Sequence, residues 1–199
     1  MKLNVANIFS MLRIVISPVF FVLLISGNDT GIIIASILYL IAALTDFFDG
    51  WFARKYHEVT MTGKFIDPLA DKFLTSFAFI AFSILDIVPW WMTIIIILRD
   101  TMTTIMRVLS GNGKLVIKTS WPAKTKTFIQ MVFIAIVIFL LFLLAVIEEN
   151  SIKTIIIDII YSDITYLIMF GITVLTIWTA VEYIMQNKSY FNNIKDKNL

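Results

Sequence analysis

An all-α fold is predicted: a polytopic membrane protein with six transmembrane helices and a short N-terminal interfacial helix, one domain over residues 1–199. Three observations predict it. Of the residues, 59% are hydrophobic and only 15% charged, with a mean hydropathy of +0.91, which is more apolar surface than a water-soluble domain of this length can hide. Apolar runs of about 20 residues, each long enough to cross a hydrocarbon core, recur along the chain. The charges, finally, gather on one side of those runs.

The elements follow in order. Leu3, Ile8, Phe9 and Leu12 fall broadly on one helical side, so Leu3–Leu12 reads as an interfacial helix leading into the first span. The spans are expected over Phe9–Ser26, Gly31–Ala53, Ile66–Val88, Trp90–Leu109, Trp121–Ile147 and Ile164–Met185. Lys55–Thr62 is the expected loop between the second and third, with Gly63 giving an unstrained turn before the next helix and Pro68 in that helix's first turn. Asp86 and Pro89 are the turn signals between the third and fourth. Trp90, Trp91, Trp121, Trp178 and Tyr183 lie near span ends and fit an aromatic belt. The polar tail after Gln186 is expected to fray.

Alternating six spans places every one of the sixteen basic residues on one side except Lys153, which lies opposite, and Arg99, which lies mid-span. Asp29, Asp86, Glu148, Glu149, Asp158 and Asp163 fall on the other side. The positive-inside rule then puts both termini in the cytoplasm. With no cysteine, disulfide and thiolate chemistry are excluded. Met1–Asn7 lacks the basic region of a cleaved signal peptide, and no internal repeat is evident.

Four carboxylates, Asp46, Asp49, Asp67 and Asp71, sit where the second and third apolar segments meet. Ionisable groups so close to hydrocarbon mark function. Asp46 and Asp49 are three apart and Asp67 and Asp71 four apart, so each pair shares a helical face. Two antiparallel helix ends would then present four acids to one another, and these would repel unless divalent cations neutralised them. An all-oxygen donor set suits magnesium or manganese. Gly50 and Ala53 keep the stretch narrow enough for a bulky ligand, and Arg54 can face phosphate. These parts suit a diphosphate bound through metal ions at the membrane surface, with a carboxylate taking the proton of an alcohol.

Asp46, Asp49, Gly50, Ala53, Arg54, Gly63, Asp67 and Asp71 stand in the register D-x-x-D-G-x-x-A-R, eight residues, G, three residues, D, three residues, D. In this, in length and in the number of spans, the chain resembles the CDP-alcohol phosphatidyltransferases. The resemblance implies two divalent ions (Mg2+ or Mn2+) on the four aspartates, Asp71 as general base, and Asp49, Gly50, Ala53, Arg54 and Gly63 around the CDP moiety. It also implies an acceptor alcohol that attacks the β-phosphorus of CDP-diacylglycerol and expels CMP, a homodimer, and a site in the bacterial cytoplasmic membrane facing the cytoplasm. No nucleic-acid partner is expected.

The fourth and fifth spans should select the acceptor. At 100° per residue Arg99, Asp100, Thr103 and Arg107 share one sector of about 100°, and none faces lipid cheaply. The fifth span opens Trp121-Pro122-Ala123-Lys124-Thr125-Lys126-Thr127, with Gln130 four residues beyond Lys126. Arg99, Arg107, Lys124 and Lys126 around one cavity favour an acceptor bearing a phosphate. Asn7, Arg13 and Pro18, together with this basic element, resemble the branch of the family that uses glycerol 3-phosphate, although Ala123 replaces a glycine and Asp100 a glutamate. Inositol phosphate, serine or phosphatidylglycerol are the alternatives.

Blander roles compete. Arg99, Asp100 and Arg107 could be a structural ion-pair set, Lys124 and Lys126 anchors to anionic lipid, and Arg13 a snorkelling anchor. His57 reads as a solvated loop residue and Glu182 as a helix-pairing one. A cation transporter would instead spread acids along its spans or place them in broken helices at the midplane.

Overall fold

The computed structural model describes residues 5–56, 63–110 and 121–186. Every regular element among them is an α-helix: α1 (Val5–Leu24), α2 (Asp29–Tyr56), α3 (Gly63–Ile84), α4 (Trp90–Ser110), α5 (Trp121–Val146), α6 (Asn150–Ile160) and α7 (Asp163–Gln186). α1 packs on α2 and α3, α5 lies against α2, α3, α6 and α7, and α4 bridges α3 and α7. α5 and the stretch Asn150–Gln186, taken across the α6–α7 turn, are long and apolar enough to cross a membrane. That turn, at Tyr161 and Ser162, separates α6 from the longer α7, so α7 is the part with spanning length.

The outer faces of the helices are apolar. Leu98, Phe128, Ile164 and Leu167 are each more than 60% exposed, as are Trp121 and Trp178 of the expected aromatic belt. A surface of that kind belongs in lipid. The helices turn a second apolar set inward, including Phe20, Ala35, Ala42, Ala78, Met92, Ile134 and Ile172. In hydrocarbon no hydrophobic drive favours helix on helix, so close packing has to hold the bundle. Phe79, Phe82 and Phe133 supply it, with ring centroids 6.3–6.4 Å apart, one pair stacked and two edge-on. Polar groups are paired internally: Ser83 and Thr93 hydrogen-bond across α3 and α4 at 2.7 Å, and Thr173, Thr176 and Thr179 return their hydroxyl protons to carbonyls of α7.

The turns explain the boundaries. Gly27 takes a left-handed φ of 73° after α1, and the Asn28 side chain accepts the Gly31 N–H to cap α2. A Cβ on Gly31 would lie 2.3 Å from Ser26 Oγ and 2.9 Å from the Leu23 carbonyl oxygen, so a glycine is needed there. Asp86 ends α3 at φ 57°. The Ile87 N–H reaches back to the Phe82 carbonyl (2.9 Å) and the Asp86 N–H to that of Ser83 (3.3 Å), the paired bonds of a Schellman stop. A β-branched residue at this φ is disfavoured by about 1–2 kcal/mol. Asp86→Val is therefore expected to lower the thermal midpoint in detergent, and Asp86→Gly to keep or raise it; equal midpoints for wild type and D86V would discount the turn.

Four expectations are corrected. α1 is continuous from Val5, so no separate interfacial helix precedes the first apolar segment among the described residues; Leu3–Leu12 contains no glycine or proline to break it. α2 runs on to Tyr56 and α3 starts at Gly63. Lys55 and Tyr56 are thus helical, Gly63 opens the helix rather than turning the loop, and Pro68 falls beyond the first turn. The segment after Glu149, expected as a connection, forms α6, which buries Ile156 and Ile160 one turn apart. Arg13 is 2% exposed, which is enclosure within the bundle and not snorkelling. His57 and the tail from residue 187 lie outside the described residues. Glu182 accepts a hydrogen bond from Gln186 one turn on.

Candidate active site

All eight residues of the acidic signature lie on helical backbone. Asp46, Asp49, Gly50, Ala53 and Arg54 occupy the last turns of α2, and Gly63, Asp67 and Asp71 the first turns of α3. The i,i+3 and i,i+4 spacings therefore act as face-sharing pairs, as the sequence requires. The side chains of these residues lie outside the described ones, as does that of Arg107 on α4. Among the described residues no group of three or more acidic, histidine or cysteine side chains could hold a metal ion. The signature's own donors, four carboxylates on two regular helix ends, are hard oxygen ligands of the type magnesium and manganese take.

Beyond the signature, the described side chains form a charged cluster around Asp100. Asp100 on α4 is 4% exposed, and its carboxylate meets cations from three helices. Lys126 Nζ of α5 donates to Oδ1 at 2.5 Å. Arg99 Nη1 donates to the same oxygen at 3.0 Å, and Lys72 Nζ of α3 lies 3.6 Å from Oδ2. The Lys126 side chain is wholly enclosed. Thr103 does not compete for the carboxylate, because its hydroxyl bonds the backbone carbonyls of Arg99 and Asp100. Among the described residues one acid thus faces three bases, and Lys72 makes a further contact besides this one. Two buried donors, Arg99 Nε and, one turn along α5 from Lys126, Gln130 Nε2, have no hydrogen-bond partner among the described residues. Such groups carry a desolvation penalty that a bound acceptor atom would relieve.

Of the residues expected around the acceptor, the structure brings Arg99 and Lys126 together through Asp100. Lys124 is exposed at the helix end and stands apart from these ion pairs. Its position fits the lipid-anchor role. Lys72 joins the cluster, a role sequence reading missed by counting it only as a cytoplasmic charge. The available signal was a cation at the start of an apolar run, one residue past Asp71, where no helix terminus calls for it. Beside Lys72 a groove of about 270 Å³ runs between α3 and α4, lined by Phe73, Ser76, Phe77, Ile80, Thr101, Thr104 and Ile105.

On the far side of the bundle the α3–α4 and α6–α7 turns meet, and the Tyr161 hydroxyl donates to the Leu85 carbonyl at 2.9 Å. Burial, and then the charge of Asp86, push this phenol's pKa upward. The acids there stand well apart in sequence from the signature, and nothing joins them into a relay across the helices among the described residues.

Known proteins share this sequence over most of its length. The family model described as CDP-alcohol phosphatidyltransferase matches residues 3–181, a stretch holding both the acidic signature and the Asp100 cluster. A probable phosphatidylglycerophosphate synthase of Mycobacterium tuberculosis (strain ATCC 25618 / H37Rv) is 40% identical over 136 residues, 67% of this chain and 65% of that protein. The match thus spans slightly less than two thirds of that relative's length. The CDP-diacylglycerol–glycerol-3-phosphate 3-phosphatidyltransferase of Bacillus subtilis (strain 168) is 37% identical over 142 residues, covering 65% of this chain and 73% of the relative. The protein of the same name from Rickettsia typhi (strain ATCC VR-144 / Wilmington) is 34% identical over 189 residues, 94% and 99% of the two chains. With the signature complete, on helical backbone and inside the matched range, the chain belongs to the CDP-alcohol phosphatidyltransferase family.

Proposed function

We propose that the protein transfers the phosphatidyl group of CDP-diacylglycerol to glycerol 3-phosphate, giving phosphatidylglycerophosphate and CMP. Family membership supports the chemistry, and the names of the relatives support the acceptor. The observation that carries the acceptor is the gathering of Lys72, Arg99 and Lys126 from three helices about Asp100. Such a site fits a substrate that brings its own phosphate.

In this reading Asp46, Asp49, Asp67 and Asp71 hold two divalent ions, which when bound neutralise the diphosphate and the charge developing on it. Asp49, Gly50, Ala53, Arg54 and Gly63 surround the CDP moiety, where the small residues let it approach the backbone. Asp71 accepts the proton of the glycerol hydroxyl as that oxygen forms its bond to the β-phosphorus. The bond from the same phosphorus to the CMP oxygen breaks, and CMP leaves with the electron pair. Arg99, Lys126 and Lys72 hold the acceptor's phosphate, with Arg107 and Lys124 nearer the cytoplasmic mouth.

α1, α2, α3, α4, α5 and α7 are the six spans of this reading, with α6 lying on the outer face. The gathering of basic residues supports a cytoplasmic site in a bacterial inner membrane, and the chain acts as a single domain within a homodimer. The test is purified protein given CDP-diacylglycerol and a panel of acceptors. CMP release with glycerol 3-phosphate, well above that with inositol phosphate, serine or phosphatidylglycerol, is the expected result. Transfer to serine alone would refute the acceptor while sparing the chemistry. Metal flux into proteoliposomes without CMP formation would favour a transporter.

A further inference from the structure

The buried face of α1 changes character along its length. Ser10, Arg13, Ser17, Phe20 and Leu24, spaced alternately three and four residues apart, are each no more than 2% exposed. They form one stripe turned into the bundle. Toward Leu24 it is apolar; toward Ser10 it is polar and carries the full charge of Arg13. The buried positions Ala35, Tyr39 and Ala42 of α2 keep the same spacing, and the next two steps of that pattern are Asp46 and Asp49.

A ring contact fixes how the two stripes align. α1 and α2 are joined by residues 25–28 and run antiparallel, and the rings of Phe20 and Tyr39 meet with centroids 5.7 Å apart. Seven residues back from Phe20 is Arg13; seven residues on from Tyr39 is Asp46. Seven residues are about two turns, so Arg13 and Asp46 hold facing register positions. An enclosed guanidinium is strongly unfavourable without a counter-charge, and Arg13 does have an interaction partner. The helices that α1 packs on are α2 and α3. Their acids are Asp29, at the far end of α2, and the four of the signature.

We propose that Arg13 is a positioning residue, a resident cation on α1 that faces the Asp46 position and holds the acidic ends of α2 and α3 together when no dication is bound. This rests on the reading that the four aspartates hold the dications. Without metal the acids repel one another, and one fixed guanidinium offsets part of that repulsion. Bound dications supply a larger share, so Arg13 matters most to the metal-free form.

The experiment uses the full chain in detergent, with the thermal midpoint read in chelator and in saturating manganese. Arg13→Met should lower the midpoint in chelator by about 6–15 °C, the loss expected when one partner leaves a buried charge pair in a chain of this size. In manganese the drop should be less than half as large. Arg13→Lys, which keeps the charge, should recover most of the loss in chelator. Adding Asp46→Asn to R13M should raise the chelator midpoint, because one of the mutually repelling acids is gone. By calorimetry, R13M should bind manganese no more weakly than wild type, since a competing charge has been removed.

Equal drops with and without manganese, R13K as unstable as R13M, or an R13M/D46N pair no more stable than R13M would each make Arg13 a packing residue and overturn the proposal. A manganese dissociation constant more than about threefold above wild type would do so too. Should R13M fail to fold under both conditions, the R13M/D46N pair decides: a folded protein upholds the proposal, and no recovery overturns it. If the wild-type protein binds no dication, the metal reading fails by itself. The effect of D46N on R13M in chelator still tests the pairing, and its absence would then overturn it.

Discussion

Asp71→Asn is expected to lower turnover by about 10³-fold or more while CDP-diacylglycerol binding changes only a few-fold. The amide keeps the size of the side chain and one oxygen, but it cannot take up a proton at neutral pH. A general base contributes roughly 10²–10⁴-fold, and the variant also removes one negative charge from the proposed metal set. Three other carboxylates remain to hold the donor, so the loss should fall on the chemical step. Single-turnover CMP release together with equilibrium binding of CDP-diacylglycerol separates the two. Equal loss of both would strip Asp71 of the base role and leave it as a ligand.

Removal of divalent ions should have an effect of similar size. Chelation is expected to suppress CMP formation by about 10³-fold or more, and magnesium or manganese to restore it. Two pairs of acids at the ends of α2 and α3, placed beside a diphosphate, would otherwise gather like charge in a region of low dielectric. Titrating the metal against activity, and separately against heat of binding in the D46N and D67N variants, checks the assignment. Full activity in chelator would dismiss the metal centre; binding unaffected by both substitutions would move it elsewhere.

Much of the fold was legible in the sequence because it depends on local repetition. The starts of α4 and α5 at Trp90 and Trp121 fall where apolar runs begin. Asp86 and Pro89, the only turn signals after the third run, mark a real stop because the backbone bends left-handed at Asp86. The helical register of the signature was legible for the same reason. What was hidden depends on how helices face one another. Lys72 and Asp100 are far apart in sequence, and only the rotation of α3 against α4 makes them partners. Arg13 lies among apolar residues, so its sequence position alone could not separate enclosure from an interfacial role. α6 escaped notice because its stretch is too short to span and opens with polar residues.

The α3–α4 pair is joined by a hydrogen bond at one end and by an ion pair at the other. Ser83 and Thr93 bolt it beside the Asp86 turn, and a bond between two hydroxyls in hydrocarbon has no water to exchange with. Toward the opposite end, near the Lys72–Asp100 pair, lies the groove that both helices line. Phe73, Thr101 and Ile105 form its rim and are themselves exposed on the lateral surface. The groove therefore opens on the lateral, apolar surface of the helices. A molecule that reaches Lys72 by this door travels in the plane of the bilayer.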